Sequence, residues 1–233
     1  MDLSLGLEGT HVLVTGAAGL IGSVTVSAFL SAGCTVSAVD NAGDRLKTLH
    51  GRIAEDPSKY PETSRLFCFT ADITSDTHMP EAFRLMQEIA GPVQCCVALA
   101  SLDLSVLPHH NSIVDMSIEQ FRRTVEVNVT GTFLTAQLWL QQLASCDHTS
   151  LRNKSLIMVG SESGHFGERM NADYATSKSA VQGGLLQSLK ADIPRTVPGS
   201  RCNAIAPGPV DTVRFRQECQ ANPDQLWLDA QAT

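Results

Sequence analysis

Six short, nearly continuous apolar runs punctuate the chain: HVLVTG (11–16), CTVSAVD (34–40), LFCFTAD (66–72), QCCVALA (94–100), SLIMVGS (155–161) and RCNAIAP (201–207). A strand with one wet face would alternate apolar and polar residues. These runs do not, so they are predicted to be strands covered on both faces. The stretches between them, 19–32, 41–55, 77–90, 117–145 and 172–191, have the length of helices. Strands and helices in alternation imply right-handed crossovers. The predicted fold class is therefore α/β, a doubly wound parallel sheet with six visible strands. No repeat or linker divides residues 1–233, which read as one domain.

Within the long helical segment, Ser117-Ile118-Glu119-Gln120 has the spacing of a capping box. Phe121, Val125, Val129 and Phe133 come next at intervals of four, as a predicted buried stripe. Asn128, seven residues after Phe121, falls on that stripe, where an amide is costly unless hydrogen-bonded. It either holds a water for a proton path or ties two helices together. In the last helical segment, NADYATSK (171–178) sets Tyr174 and Lys178 four positions apart on one face. Gly183 and Gly184 interrupt that helix at about 1 kcal/mol each relative to alanine. Either another backbone approaches them closely or the helix middle is flexible.

Composition narrows the partner. Apolar residues make up 43% of the chain and charged residues 18%, the balance of a globular protein. A formal charge of -7 without clustered Lys and Arg excludes a nucleic-acid partner and leaves a small-molecule substrate. No run of about 18 apolar residues occurs, so no membrane span is predicted. The start, MDLSLGLEGTHVLVTG, lacks the basic-then-apolar order of a signal peptide. Of seven cysteines, Cys34, Cys68, Cys95, Cys96 and Cys202 sit in apolar runs, as reduced core thiols of a cytoplasmic protein would. Cys95 and Cys96 would point to opposite faces of one strand, and His109 and His110 lack a third ligand, so no metal site is predicted.

Ligands of a doubly wound sheet bind beyond the carboxyl ends of its strands. The first strand runs into TGAAGLIG (15–22). Its Gly16, Gly19 and Gly22 permit a tight turn, backbone approach to a pyrophosphate, and close packing of a helix whose N-terminal amides attract anions. The second strand ends in Asp40, 25 positions after Thr15. A carboxylate there accepts hydrogen bonds from an adenine ribose diol and repels a 2′-phosphate, which favours NAD over NADP; its structural alternative is a helix N-cap. Asp72, at the end of the third strand, either meets the adenine amino group or caps the next helix. Ser161 ends the fifth strand, 13 residues before Tyr174, so hydroxyl and phenol face one cleft. A tyrosine titrating near pH ~10 needs roughly 4 kcal/mol of anion stabilisation to serve as a base near neutrality. An ammonium about 4.5 Å away, at an effective dielectric of ~20, supplies that amount. His165, between the two, is placed to touch substrate.

Together these residues resemble the short-chain dehydrogenase/reductase family. TGAAGLIG, Asp40, Asp72 with Ile73, VNVTG (127–131), Ser161, Tyr174-x-x-x-Lys178 and PGPVDT (207–212) occur in the family's order and spacing over almost the whole chain. The resemblance implies a Rossmann fold, a homo-oligomer, and an NAD(P)-dependent oxidoreductase interconverting a secondary alcohol and a ketone on a small organic substrate. It implies Tyr174 as general acid/base, Lys178 as the group that lowers its pKa and binds the nicotinamide ribose, Ser161 as polariser of the substrate, and Asn128 as a member of the proton relay. Gly16, Gly19, Leu20, Ile21, Gly22, Asp40, Asp72, Ile73 and Ala98 would hold the dinucleotide. Tyr174, Lys178 and the backbone of Pro207, Gly208, Val210 and Thr212 would meet its nicotinamide end.

The chain departs from the family pattern in three places. Leu20 stands where the compact branch has glycine, and this spacing leaves nucleotide-sugar epimerase or dehydratase chemistry as an alternative. Ala98-Leu99-Ala100-Ser101 replaces the family's N-N-A-G, so side-chain amide support of the cofactor loop is expected to be missing and cofactor retention weaker. Residues 212–233 resemble the family's helical substrate flap, but no seventh strand comes after it, so the sixth is expected as an exposed apolar edge. A shortened chain of this kind leaves a non-catalytic dinucleotide-binding scaffold as a further reading.

Overall fold

The computed structural model describes residues 5–56, 65–108, 110, 112–211, 215–217 and 220. Six parallel strands form one sheet: β1 (His11–Thr15), β2 (Thr35–Asp40), β3 (Leu66–Thr70), β4 (Cys95–Ala98), β5 (Ser155–Val159) and β6 (Arg201–Ile205). Their order is β3-β2-β1-β4-β5-β6, and each lies inside its predicted run. The helices are α1 (Leu20–Ser31), α2 (Gly43–Ala54), α3 (His78–Ala90), α4 (Ile118–Val125), α5 (Gly131–Ser145), α6 (Ser163–Phe166), α7 (Ala172–Ser179) and α8 (Leu186–Thr196).

The strands are apolar throughout because each face of the sheet has its own core. Leu13, Cys96, Leu156 and Met158 pack with Met86 of α3 and Trp139 and Leu143 of α5. Val12, Val14, Val36, Cys95 and Val97 pack on the other face with Val26 of α1 and Leu46 and Leu49 of α2. Cys95 and Cys96 thus serve opposite cores, as expected of neighbours on a strand. The described cysteines are free thiols. Among the described residues, no group of His, Cys, Asp and Glu is arranged to hold a metal, and no helix is long and apolar enough to cross a membrane. Strand order reverses between β1 and β4, so the crevice opens above Thr15 and Ala98.

At the far edge, β6 pairs with β5 alone among the described residues. It exposes Arg201, Asn203 and Ile205 and half-buries Cys202 and Ala204, so among the described residues its outer edge is open and only partly apolar. Most of the 212–233 flap, including Thr212, lies outside the described residues.

Two long helices depart from the periodic pattern. One π-helical turn, Glu126–Thr130, separates α4 from α5, and a second, Ala180–Leu185, separates α7 from α8. A wider turn shifts the helical phase of every residue beyond it. The predicted stripe is not the buried one even ahead of that turn, where Thr124 is buried and Phe121 and Val125 are only partly so. Phe133 is 45% exposed, whereas Thr124, Asn128, Thr132 and Thr135 are buried. That buried line is polar because its groups find partners: Thr124 Oγ1 donates to Asp173, Thr132 to the Asn128 carbonyl and Thr135 to the Gly131 carbonyl. Among the described residues outside their own helix backbone, nothing lies within 4 Å of where Cβ atoms of Gly183 and Gly184 would sit.

Candidate active site

The turn after β1 needs glycine at two positions. Gly16 has φ +67°, and a Cβ on it would lie 2.8 Å from Ala100 Cα. A Cβ on Gly22 would collide with the Gly16 carbonyl oxygen, so its absence lets α1 pack directly on the turn. Helix α1 has no side-chain cap and no acidic residue in its first turn, which leaves its N–H groups and positive end directed at an anion. Leu20 and Ile21 are exposed beside this turn. With Leu5, Leu7, Val24 and Val210 they line an apolar groove of ≈ 600 Å³ that includes none of Ser161, Tyr174 and Lys178.

Asp40 is 5% exposed. Its Oδ2 accepts the Ala18 N–H and its Oδ1 the Ala42 N–H, both at 3.0 Å. It therefore braces the glycine turn; the N-cap residue of α2 is Ala42. Arg45 Nη2 approaches Asp40 Oδ1 at 3.5 Å from the solvent side. Asp72 is exposed, and its Oδ1 accepts the Thr74 N–H at 2.9 Å and hydroxyl at 2.8 Å. That makes it a turn former; Thr77 is the N-cap residue of α3. Ile73 is buried against Gly131, where a Cβ would come within 2.6 Å of its Cδ1.

The loop after β4 is supported despite its missing amides. Thr15 Oγ1 accepts the N–H groups of Leu99 and Ala100, both at 3.1 Å. Asn128 clamps Leu102 further along the loop: its Oδ1 accepts the Leu102 N–H at 2.7 Å, and its Nδ2 donates to the Leu102 carbonyl at 3.0 Å and to Ser177 Oγ at 2.9 Å. These bonds fasten the loop after β4 to α7.

Ser161, Tyr174 and Lys178 are all under 10% exposed and meet at the end of β5. Lys178 Nζ lies 5.6 Å from the Tyr174 ring centroid and donates to the Val159 carbonyl at 2.9 Å. Burial lowers the Lys178 pKa to about 8, against the opposing pull of the Asp103 carboxylate. Burial also pushes the Tyr174 phenol up; a hydrogen bond with Ser161 pulls it down, and Asp103 and Glu168 raise it further. Desolvation is the largest of these influences on the phenol. Pro207 accepts the Glu162 N–H at 3.0 Å, and Gly208 lies against the Glu162 carboxylate, which brings that loop beside Ser161. Thr212 lies outside the described residues. His165 is exposed, its ring edge-on to Phe166. His110 pairs with Gln120, and His109 lies outside the described residues.

Sequence reasoning missed the groups that mount Ser161. The Ser161 N–H donates to Gln182 Oε1 at 2.8 Å. Gly160 and Gly164 make room for that side chain, since a Cβ on either would strike it. Gln182 Nε2 is buried without a partner. Gln182 comes four residues after Lys178, on the Tyr174–Lys178 face, so helical spacing already carried the signal. Ser163 donates to Glu168 Oε2 at 2.6 Å and contacts the Ser161 hydroxyl at 3.3 Å; no periodicity points to either. Asp173 is fully buried, and its Oδ2 accepts from Thr124 at 2.7 Å and Gln120 at 3.1 Å while Oδ1 has no partner. Ser117 caps the Gln120 N–H, but the Gln120 side chain serves Asp173 instead of closing the capping box.

A phosphate-ready turn leading to a buried phenol beside an ammonium defines a class, the NAD(P)-dependent oxidoreductases. Comparison with known proteins narrows it. Residues 10–223 match the family described as short chain dehydrogenase. The chain is 31% identical over 218 residues to dehydrogenase/reductase SDR family member 6 of Danio rerio, covering 94% of this chain and 78% of that protein. It is 30% identical over 219 residues to (3R)-3-hydroxyacyl-CoA dehydrogenase of Mus musculus, covering 91% and 78%. A crystal structure of a short-chain type dehydrogenase/reductase from Mycobacterium marinum superposes with a TM-score of 0.74 at 25% identity, over 87% of this chain and 75% of that one. The chain belongs to the short-chain dehydrogenase/reductase family.

Proposed function

We propose that the protein interconverts a secondary alcohol and a ketone, with NAD as the dinucleotide and Tyr174 as general acid/base. The observation that carries this reading is the convergence of Ser161, Tyr174 and Lys178, nearly buried, at the end of β5 beside the crevice. The mouse relative supports it, since its name is that of a dehydrogenase acting on a secondary alcohol. The residues fit a dinucleotide. A Cβ at Gly16 or Gly22 would fill the turn, α1 presents uncapped amides for the pyrophosphate, and Asp40 offers a braced carboxylate for the ribose diol. Its negative charge disfavours a 2′-phosphate.

When bound, the nicotinamide accepts or gives the hydride. The protein's own groups handle the proton. In oxidation the Tyr174 oxygen takes the alcohol O–H proton as the carbonyl forms; in reduction it returns a proton to the carbonyl oxygen. Ser161 hydrogen-bonds the reacting oxygen and fixes its line of approach. Lys178, with a pKa near about 8, is largely charged at pH 7 and favours the phenolate. Asn128 and Thr15 hold the loop that forms the cleft wall.

Nicotinamide fluorescence during titration with NADH, and separately NADPH, tests the cofactor reading; tighter binding of NADH is expected. A carbonyl screen then supplies a substrate, on which Tyr174→Phe should lose at least about 10²-fold in kcat. Undiminished turnover by that variant would sink the mechanism.

A further inference from the structure

The end of β5 is held on its two sides by different means. Toward β6, the Gly160 N–H donates to the Ile205 carbonyl at 2.7 Å and the Glu162 N–H to the Pro207 carbonyl at 3.0 Å. Backbone groups alternate between the two sides of a strand, so the Val159 carbonyl and the Ser161 N–H face the β4 side. There β4 has ended, its last pair with β5 being Ala98 and Met158. A buried backbone group without a partner is costly, and two side chains stand in for the missing strand. Lys178 Nζ donates to the Val159 carbonyl at 2.9 Å, and Gln182 Oε1 accepts the Ser161 N–H at 2.8 Å. Tyr174, Lys178 and Gln182 follow at intervals of four along one helical run, so a single element locates both the phenol and the serine backbone. Gln182 is 7% exposed, and its Nε2 has no hydrogen-bond partner among the described residues. Turning the amide round would set a donor against the Ser161 N–H. The molecule thus keeps a costly buried donor together with an acceptor aimed at Ser161.

We propose that Gln182 is a positioning residue of the reaction: by holding the Ser161 backbone where β4 no longer can, it fixes the place from which the Ser161 hydroxyl meets the substrate oxygen. The inference rests on the function proposed above and adds a residue to it. Gln182 acts only through Ser161, so its loss should slow the chemical step and leave binding of substrate and cofactor alone.

Gln182→Met keeps the length of the side chain and removes the acceptor. It exchanges one buried orphan for another, so the urea midpoint should stay near that of the wild type. Its kcat is expected to fall about ten- to a hundredfold, with KM and the NADH Kd within about twofold of the wild type. Gln182→Glu keeps an oxygen at the acceptor position and loses only the partnerless Nε2, so it should restore most of that kcat. Hydrogen exchange should show the Ser161 amide losing protection in Gln182→Met and keeping it in Gln182→Glu. Undiminished kcat in Gln182→Met, a loss carried by KM alone, a Gln182→Glu no more active than Gln182→Met, or a Ser161 amide still protected in Gln182→Met overturns the proposal. Should Gln182→Met fail to fold, Gln182→Leu takes its place with the same expectations. The exchange measurement needs neither cofactor nor substrate. A wild-type chain that turns over no carbonyl would sink the oxidoreductase reading, and the amide would still decide whether Gln182 holds Ser161.

Discussion

Substituting Gly160→Ala tests how Ser161 is mounted. The added Cβ would collide with Gln182 Oε1 and lie 2.9 Å from Gln182 Cδ. That oxygen is also the acceptor for the Ser161 N–H at 2.8 Å, so the amide cannot withdraw without leaving a buried donor unpaired. Overpacking costs about 1–3 kcal/mol, and the orphaned N–H adds about 1–3 kcal/mol. Gly160→Ala is therefore expected to lose about 2–6 kcal/mol of unfolding free energy. Gln182→Ala alone also orphans the Ser161 N–H, but it deletes an Nε2 that has no partner, so its loss is smaller. In the double variant the alanine methyl enters space the glutamine has left, and the steric part disappears. The double variant keeps one orphaned N–H and no steric cost, so urea unfolding of the four proteins should give a coupling of about 2–6 kcal/mol. Additivity within about 0.5 kcal/mol would refute the reasoning that Gly160 exists to admit the amide.

Two further expectations concern buried ionisable groups. Lys178 is folded with a pKa of about 8, below its ordinary 10.5. The stability it contributes is fully present above pH 10.5 and is lost as pH falls through about 8; Lys178→Met should flatten that slope in unfolding measurements, raise stability at pH 7 by about 2 kcal/mol, and abolish hydride transfer. His11, 2% exposed between the Gly91 carbonyl and the Ser37 hydroxyl, has its pKa lowered by burial. Stability should therefore hold above pH ~6.5 and decline as pH falls through the folded value, by up to about 1.4 kcal/mol per pH unit; an equally steep acid decline in His11→Gln would exclude His11 as its source.

The strands were legible because burial on both faces writes an unbroken apolar run, as in Val12 to Val14 and Cys95 to Val97. The strand-end residues were legible for a related reason: in this topology chemistry gathers where strands stop, and Gly16, Asp40 and Ser161 all stand there. The phase of the long helices was not. Periodic reading assumes a constant turn, and the π-helical turns break that assumption after Val125 and Ser179. The hydrophobic stripe was misplaced for another reason: it was sought among apolar residues, whereas the buried line holds polar threonines, Thr124 against a partner far along the chain. Glu168 and Asp173 were invisible for a different reason: a carboxylate of this kind matters only through the groups it touches, and Ser163 and Thr124 become its neighbours by folding alone. The direction of the Tyr174 shift was also out of reach, because desolvation depends on how deeply the phenol sits.

Asn128 and Gln182 share an unusual seat, since each rides on one of the π-helical turns. Such a turn holds one residue more than an α-helical turn requires, so the chain carries two single-residue insertions that it absorbs without looping out. Deleting one residue from 126–130 would restore a continuous α-helix and leave Trp139 and the rest of α5 near their places, but it would remove the widened turn that seats Asn128 and its clamp on Leu102. The length of these helices is thus as much a part of the site as its side chains are. A family member differing here by one residue would need a different clamp for the loop after β4.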